Sequence, residues 1–133
     1  MTRRERVAGG LGVGMMALGA TGPWAHAQTW SSGAVSVSGF GHGAGVVLAC
    51  SALVAVTLLA GLPLGAALLG VVSASWTALV MYELPGTLTS GWAWEAEMAW
   101  GAQVALVGAL IVLATAVPAM RAATPARRRA ASS

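Results

Sequence analysis

Charged residues are scarce in this chain, and their scarcity indicates which solvent the protein faces. Only 8% of its 133 residues are charged, whereas a soluble domain carries about 25%. Lysine and aspartate are absent, so the charges are those of seven arginines and four glutamates. Hydrophobic residues make up 57% of the chain. This composition is typical of a protein that folds in a lipid bilayer and not of a soluble domain.

Several kinds of site need residues that this sequence lacks. The single cysteine, Cys50, excludes an intramolecular disulfide and a zinc site built from cysteines. No ionisable residue lies in the middle of a predicted span, which argues against a proton-coupled transporter or pump. His26 and His42 match no metal-ligand spacing, and without aspartate no Ser/His/Asp set can be assembled. We therefore predict no catalytic residue, no cofactor and no metal site, in a protein that is not an enzyme.

The arginines form two terminal clusters, within residues 3–6 and 121–129, and this distribution predicts partner class and orientation. Clusters without interleaved aromatic residues argue against a nucleic-acid surface. The positive-inside rule puts both ends of the chain in the cytoplasm, so the number of spans is even. Three of the four glutamates precede the last apolar segment, in a loop on the other side. The predicted localisation is the plasma membrane, with a multi-pass arrangement and both termini cytoplasmic.

The apolar segments predict four spans within a single membrane domain over residues 1–120. From residue 43 to 82 there is no charge, and one helix of that length would extend about 60 Å, twice the hydrocarbon thickness. The sequence GLPLG, residues 61–65, supplies a break near the middle. We expect a basic, disordered cytoplasmic tail over residues 121–133. The predicted spans are about 7–24, 44–62, 64–82 and 100–120.

A short polar segment after the first apolar run has the pattern of a β-hairpin. Val35-Ser36-Val37-Ser38 alternates apolar and polar residues, and Ser31-Ser32-Gly33 before it favours a turn. The predicted fold class is an all-α membrane protein with four transmembrane helices and a short extracytoplasmic β-hairpin after helix 1.

The first apolar run also permits a second interpretation, a signal peptide. Ala25-His26-Ala27 has small residues at the two positions that a signal peptidase inspects, after a basic start and an apolar stretch. Cleavage there would remove residues 1–27 and leave three spans. Pro23-Trp24 is typical of an interfacial anchor at the end of a retained helix. We favour retention, and the charge pattern alone leaves the alternative open.

Pro23-Trp24, the segment VSVSGFGHG and the tight helical hairpin after it carry a resemblance to known proteins. This layout resembles small, mostly uncharacterised four-helix membrane proteins of high-GC Gram-positive bacteria. It is also similar to the layout of the tryptophan-biosynthesis-associated membrane protein family. The resemblance covers most of the chain and implies that the first helix is retained. It implies no catalytic residue.

The densest cluster of polar and aromatic residues precedes the last span, and we interpret it as a candidate partner-binding site. Tryptophan dominates binding hot spots, and nearby carboxylates suit a basic group on a partner. A simpler interpretation makes the tryptophans a membrane anchor and puts the acids in the first turn of the last helix. The candidate residues are Trp92, Trp94, Glu95, Glu97 and Trp100.

These observations favour a non-catalytic accessory, scaffold or sensor subunit of the membrane. Its expected partners are the lipid bilayer and a membrane or envelope protein, with a homo-oligomer left open and no nucleic acid. The alternative is a small pore-forming or holin-like protein, suggested by the small size, the glycine-rich helices and the basic tail. A pore needs a hydrophilic lining, and the spans offer scattered hydroxyl groups and Gln103 near one end.

Overall fold

The chain is mostly helical, with one small sheet at one end of a helical bundle. The computed structural model describes residues 2–31, 33–90 and 93–132. In chain order the elements are α1 (Arg3–Thr21), β1 (Pro23–Thr29), β2 (Gly33–Ser38), a 3-10 helix (Gly39–His42), α2 (Ala44–Leu59), α3 (Pro63–Thr89), β3 (Ala93–Met98) and α4 (Trp100–Ser132).

Two of the helices are long and apolar enough to cross a membrane: α3 with 27 residues and the 23 residues Trp100–Ala122 of α4. Helix α2 is apolar, but its 16 residues extend only about 24 Å. Helix α1 begins with four consecutive charged residues, which leaves only residues 7–21 as its apolar part. Of the four predicted spans, only the last two therefore correspond to helices with the length and composition of a membrane span.

Helix α1 ends at Thr21, three residues before the end of the predicted span, and the burial of Trp24 accompanies the change from helix to strand. After Gly22 the chain enters β1 at Pro23, and the Trp24 side chain is fully buried. The Trp24 Nε1–H donates to the Gly19 carbonyl at 2.9 Å. The same carbonyl also accepts from the Gly22 N–H at 3.2 Å, so it has two partners at the end of the helix, where the next-turn donors run out. The prediction of Trp24 as an interfacial anchor is wrong, because the indole belongs to the core.

Helices α1 and α4 run antiparallel with their backbones in close contact. A Cβ atom built on Gly12 would lie 2.7 Å from the Gly108 carbonyl oxygen, and one on Gly108 would lie 2.6 Å from the Gly12 oxygen. Farther along, Gly19 faces the backbone of Gly101 and Ala105 in the same way. No larger side chain fits between the helices here, which is the small-residue packing common among membrane helices.

The break predicted at GLPLG is confirmed and forms the turn between α2 and α3. Gly61 has a φ of 71°, and its N–H donates to the Leu58 carbonyl at 3.2 Å. Leu62 N–H reaches back to the Thr57 carbonyl at 2.8 Å, a pattern in which glycine favours helix termination. Pro63 then opens α3, at a position where its missing N–H costs little.

Helix α3 continues well past residue 82, through a segment for which the sequence predicts a loop. Pro85 lies inside this extension and removes one backbone donor. Leu84 and Leu88, one turn apart, are both buried in the core cluster, and α3 packs against β3. Their burial stabilises the extra turns despite the proline.

The sheet has the strand order β2-β1-β3, and both pairs are antiparallel. The predicted hairpin is confirmed as β1 and β2, with Thr29 paired to Gly33 and Gly33 at a φ of 68°. The third strand, β3, is not predicted from the sequence, which indicates only a two-stranded hairpin. Glu95 and Glu97 lie on β3 and not in the first turn of the last helix, so the simpler interpretation of these acids is wrong.

The elements define two ends of the molecule, named here the sheet end and the turn end. At the sheet end, α1 and α3 finish and α2 and α4 begin. At the turn end, the Arg6 guanidinium lies near Gly61, with a separation of 3.6 Å between Nη2 and a Cβ built on that glycine. The tail predicted to be disordered from residue 121 instead continues α4 as far as Ser132. Alanine and arginine, which dominate that segment, are strong helix formers.

We expect Gly108→Leu to destabilise the protein by roughly 1–3 kcal/mol or more, because the new side chain meets the backbone of α1. Gly14→Leu is the matched control, since no heavy atom outside its own helix lies within 4 Å of a Cβ there. Thermal unfolding in detergent, followed by circular dichroism, measures the difference. Equal melting temperatures for the two variants would contradict the close helix contact.

Candidate functional site

The central strand β1 organises the candidate site by turning alternate side chains to opposite sides of the sheet. Ala25, Ala27 and Thr29 are buried, while His26 is exposed and Gln28 is partly exposed. The neighbouring strands follow the same alternation, since side chains directly opposite each other share a face. One face is therefore packed against the helices and the other is polar. We name the second the polar face; its residues are His26, Gln28, Ser36, Glu95 and Glu97.

Two rows of side chains cross the polar face. In the first, His26 stands opposite Ser36 on β2 and Glu97 on β3. The Ser36 Oγ and His26 Nδ1 atoms are 3.3 Å apart, within hydrogen-bond distance. In the second row, Gln28 stands opposite Ala34 and Glu95. The polar face thus combines two carboxylates along one strand with an imidazole and an amide along the next.

An aromatic pair lies at one end of the polar face, beside the β1–β2 turn. The Trp30 and Trp94 rings have centroids 6.3 Å apart and planes inclined at 46°. Trp30 is 78% exposed and Trp94 is 52% exposed. Pairs with this geometry are favourable by about 0.5–1.5 kcal/mol. Two large, exposed aromatic rings in contact with each other are a surface of the kind found in binding hot spots.

The structure does not bring all the predicted site residues together. Trp94, Glu95 and Glu97 share β3, but Trp100 lies past the end of the strand, about 20 Å from Trp94 along an extended chain. The Trp100 ring covers Gly22, where a Cβ would lie 2.6 Å from its Cη2 atom. Trp100 therefore packs at the junction of α1 and β1. Trp92 lies outside the described residues.

The sheet end is acidic as a whole. Glu83, on the exposed side of α3, adds a third carboxylate to those of Glu95 and Glu97. It lines a small cavity of about 110 Å³ with His42 and Thr87, next to the 3-10 helix. The basic side chains of α1 lie at the opposite end of the molecule. This separation of charge favours a cationic partner at the sheet end.

The row Ser36–His26–Glu97 contains the residue types of a hydrolytic triad, which the sequence predicts to be absent. Its geometry differs from that of a triad in two respects. The serine meets Nδ1, whereas the nucleophile of a triad meets Nε2 and the acid meets Nδ1–H. All three side chains are exposed on an open sheet, whereas oxyanion stabilisation relies on a site that excludes water. The row is suited to hydrogen bonding with a ligand.

Among residues 2–31, 33–90 and 93–132, no group of three or more His, Cys, Asp or Glu side chains could hold a metal ion. Comparison of the chain with protein-family models, with curated proteins and with solved structures finds no match. The polar face and the charge distribution are therefore the basis for a functional assignment.

Three members of the polar face, and the Trp30 ring beside it, are absent from the sequence-based candidate set. His26, Gln28 and Ser36 join it only because β1 pairs with β3, more than 60 residues away. One local signal was present: Glu95-Ala96-Glu97 alternates with a period of two, as a half-buried strand does. Trp30 carries no comparable signal, since its contact with Trp94 depends on the same long-range pairing.

We expect Trp24→Ala and Trp94→Ala to have very different effects on stability. Loss of the buried Trp24 should cost about 3–5 kcal/mol, whereas loss of the exposed Trp94 should cost at most about 1.5 kcal/mol, the value of an aromatic pair. Denaturant or thermal unfolding in detergent measures both. A similar loss for the two variants would show that Trp94 is a structural residue and not an available surface.

Proposed function

We propose that the protein is a non-catalytic accessory subunit of the plasma membrane that binds a partner protein through its polar face. The observation that carries this proposal is the exposed Trp30–Trp94 pair beside two solvent-facing carboxylates. All four of these side chains are exposed, so none of them is buried in the core of the protein. Tryptophan is enriched in binding hot spots, and charged side chains are typical of the rim around them.

The partner segment that fits this surface is basic. Arginine or lysine can lie over a tryptophan ring, an interaction worth about 0.5–2 kcal/mol. The same cations can pair with Glu95 and Glu97, which stand on one face of β3. Gln28 and His26 in the next strand offer hydrogen bonds to a peptide backbone or side chain. A membrane or envelope protein with an exposed basic segment is the proposed partner.

We further propose that all four helices are embedded and that both termini are cytoplasmic. The supporting features are the alternating direction of the helices and the opposite charge of the two ends. Helix α1 packs along α4, one of the two helices with the length and composition of a span. Through this contact, a helix that is short by itself can be carried into the bilayer.

Retention of residues 1–27 is part of the same proposal. Ala27 lies in the middle of β1, the central strand of the sheet, where it pairs with Val35 on one side and Ala96 on the other. Cleavage after Ala27 would remove α1, the buried Trp24 and most of β1. The two remaining strands would lose their shared neighbour.

The pore-forming alternative has less support. A water-filled pathway needs a polar lining along a span. Several hydroxyl groups within the helices donate instead to the preceding turn, as Thr77 does to the Ser73 carbonyl at 2.8 Å and Ser51 to the Leu48 carbonyl at 2.6 Å. Such bonds use the hydroxyl donors inside each helix. The buried Ser73 Oγ has no hydrogen-bond partner among the described residues, and a single hydroxyl does not form a polar lining.

We expect an intact chain with a cytoplasmic C-terminus. Intact-mass measurement of the purified protein should give a chain that includes residues 1–27, and a reporter fused after Ser133 should be active only in the cytoplasm. A tag placed at Ser31 in the β1–β2 turn should be labelled from outside the cell. A mature chain that begins at Gln28, or a tail digested by external protease in intact cells, would contradict the arrangement.

We expect Trp94→Ala combined with Glu97→Gln to reduce recovery of a crosslinked partner on the order of thirty-fold, since hot-spot residues cost at least 2 kcal/mol. Recovery is measured by affinity purification from native membranes, with the partner identified by mass spectrometry. Glu83→Gln is the matched control, because it removes a carboxylate from the same end but outside the polar face. Equal recovery with wild type and the double variant, at equal membrane levels, would refute binding through this face.

A further inference from the structure

A groove between α1 and α2 opens at the turn end of the molecule. Its volume is about 200 Å³. Three of its residues come from the first three turns of α1 and three from the last turns of α2. Five of the six are apolar, and the sixth is an arginine: the lining residues are Arg6, Gly10, Val13, Ala55, Leu58 and Leu59.

The charged and apolar parts of the groove lie at different depths. Arg6 belongs to the first turn of α1, and Gly10 and Val13 follow one and two turns farther along the helix, about 10 Å in total. On the antiparallel α2, Leu59 is the last helical residue and Ala55 lies one turn deeper. The groove therefore runs along the helix axes, with a guanidinium at its mouth and hydrocarbon walls inside.

Two adjacent glycines explain why the groove exists. A Cβ on Gly9 would lie 2.9 Å from the Leu58 Cδ1 atom, so Gly9 lets α2 pack against α1. A Cβ on Gly10 would meet no heavy atom within 4 Å outside its own helix. Gly10 is thus unnecessary for the contact between the helices, and its missing side chain leaves the groove open. A larger residue at position 10 would fill this space without disturbing the pair.

We propose that this groove binds an anionic phospholipid, whose phosphate pairs with Arg6 and whose acyl chain lies against Gly10, Val13 and Leu58. A lipid has the same order of chemistry along its length as the groove, with charge at the surface and hydrocarbon below. Arginine is well matched to phosphate, because its planar N–H groups bond to two oxygens at once. With the orientation proposed above, Arg6 lies at the cytoplasmic leaflet, where anionic lipids are concentrated.

The test uses the full-length protein in mild detergent and measures lipid binding by native mass spectrometry. Phosphatidylglycerol and phosphatidylcholine of equal chain length are the probes. We expect wild-type protein to prefer phosphatidylglycerol, and Arg6→Gln to lose roughly ten-fold or more in affinity for it, the loss expected when a charge-assisted hydrogen bond to phosphate is removed. Gly10→Leu should weaken the binding of both lipids, because it occupies the space of the acyl chain.

Two control variants separate the groove from a general effect of charge or size. Arg121→Gln removes an arginine of α4 that does not line the groove, and Gly14→Leu adds the same side chain at another open position of α1. Both should bind phosphatidylglycerol as wild type does, and circular dichroism should show that all four variants are folded. No preference between the lipids, or equal losses in Arg121→Gln and Arg6→Gln, would overturn the proposal. The outcome does not depend on partner binding or on orientation in the cell.

Discussion

The close contact between α1 and α4 is the constraint on which the other elements depend. Glycine at facing positions, as at Gly12 and Gly108, removes the side chains that would hold the two backbones apart. Because the helices are antiparallel, the end of α1 and the start of α4 arrive at the same place. At this place β1 follows the end of α1, and β3 precedes the start of α4. The Ala99 N–H donates to the Trp24 carbonyl at 2.9 Å and links the two junctions. The helix pair thus brings the strands together.

The two surfaces with a proposed role lie at opposite ends of α1. At the sheet end α1 leads into β1, which supplies the centre of the polar face. At the turn end Arg6 and Gly10 form one wall of the apolar groove. The segment that a signal peptidase would remove therefore contributes to both surfaces and to the core through Trp24. Removal of that segment would disrupt more of the molecule than the loss of one span suggests.

The elements that could be predicted from sequence are those with short-range signals. Gly61 and Pro63 terminate one helix and begin the next within three residues, and the alternation of Val35 to Ser38 indicates a strand. The extension of α3 through Pro85 and the strand β3 were missed. Proline locally disfavours a helix, and in this segment the burial of Leu84 and Leu88 against the sheet has the larger effect. Where β1 pairs with β3, Gln28 stands opposite Glu95 and Thr29 opposite Ala93, so Trp94 is an extra residue that interrupts the alternation of β3.

The sequence by itself determined the scarcity of charge, the separation of the arginines from three of the four glutamates and the positions of the helix breaks. These properties depend on residue type and on neighbours a few positions away. Tertiary structure decided which glycines meet a partner helix, that Trp24 is buried and that His26 stands between Ser36 and Glu97. The contact of Gly12 with Gly108 and the pairing of His26 with Glu97 join segments more than 60 residues apart. The residues around a glycine or a tryptophan in the sequence do not indicate which distant residue it contacts in the folded chain.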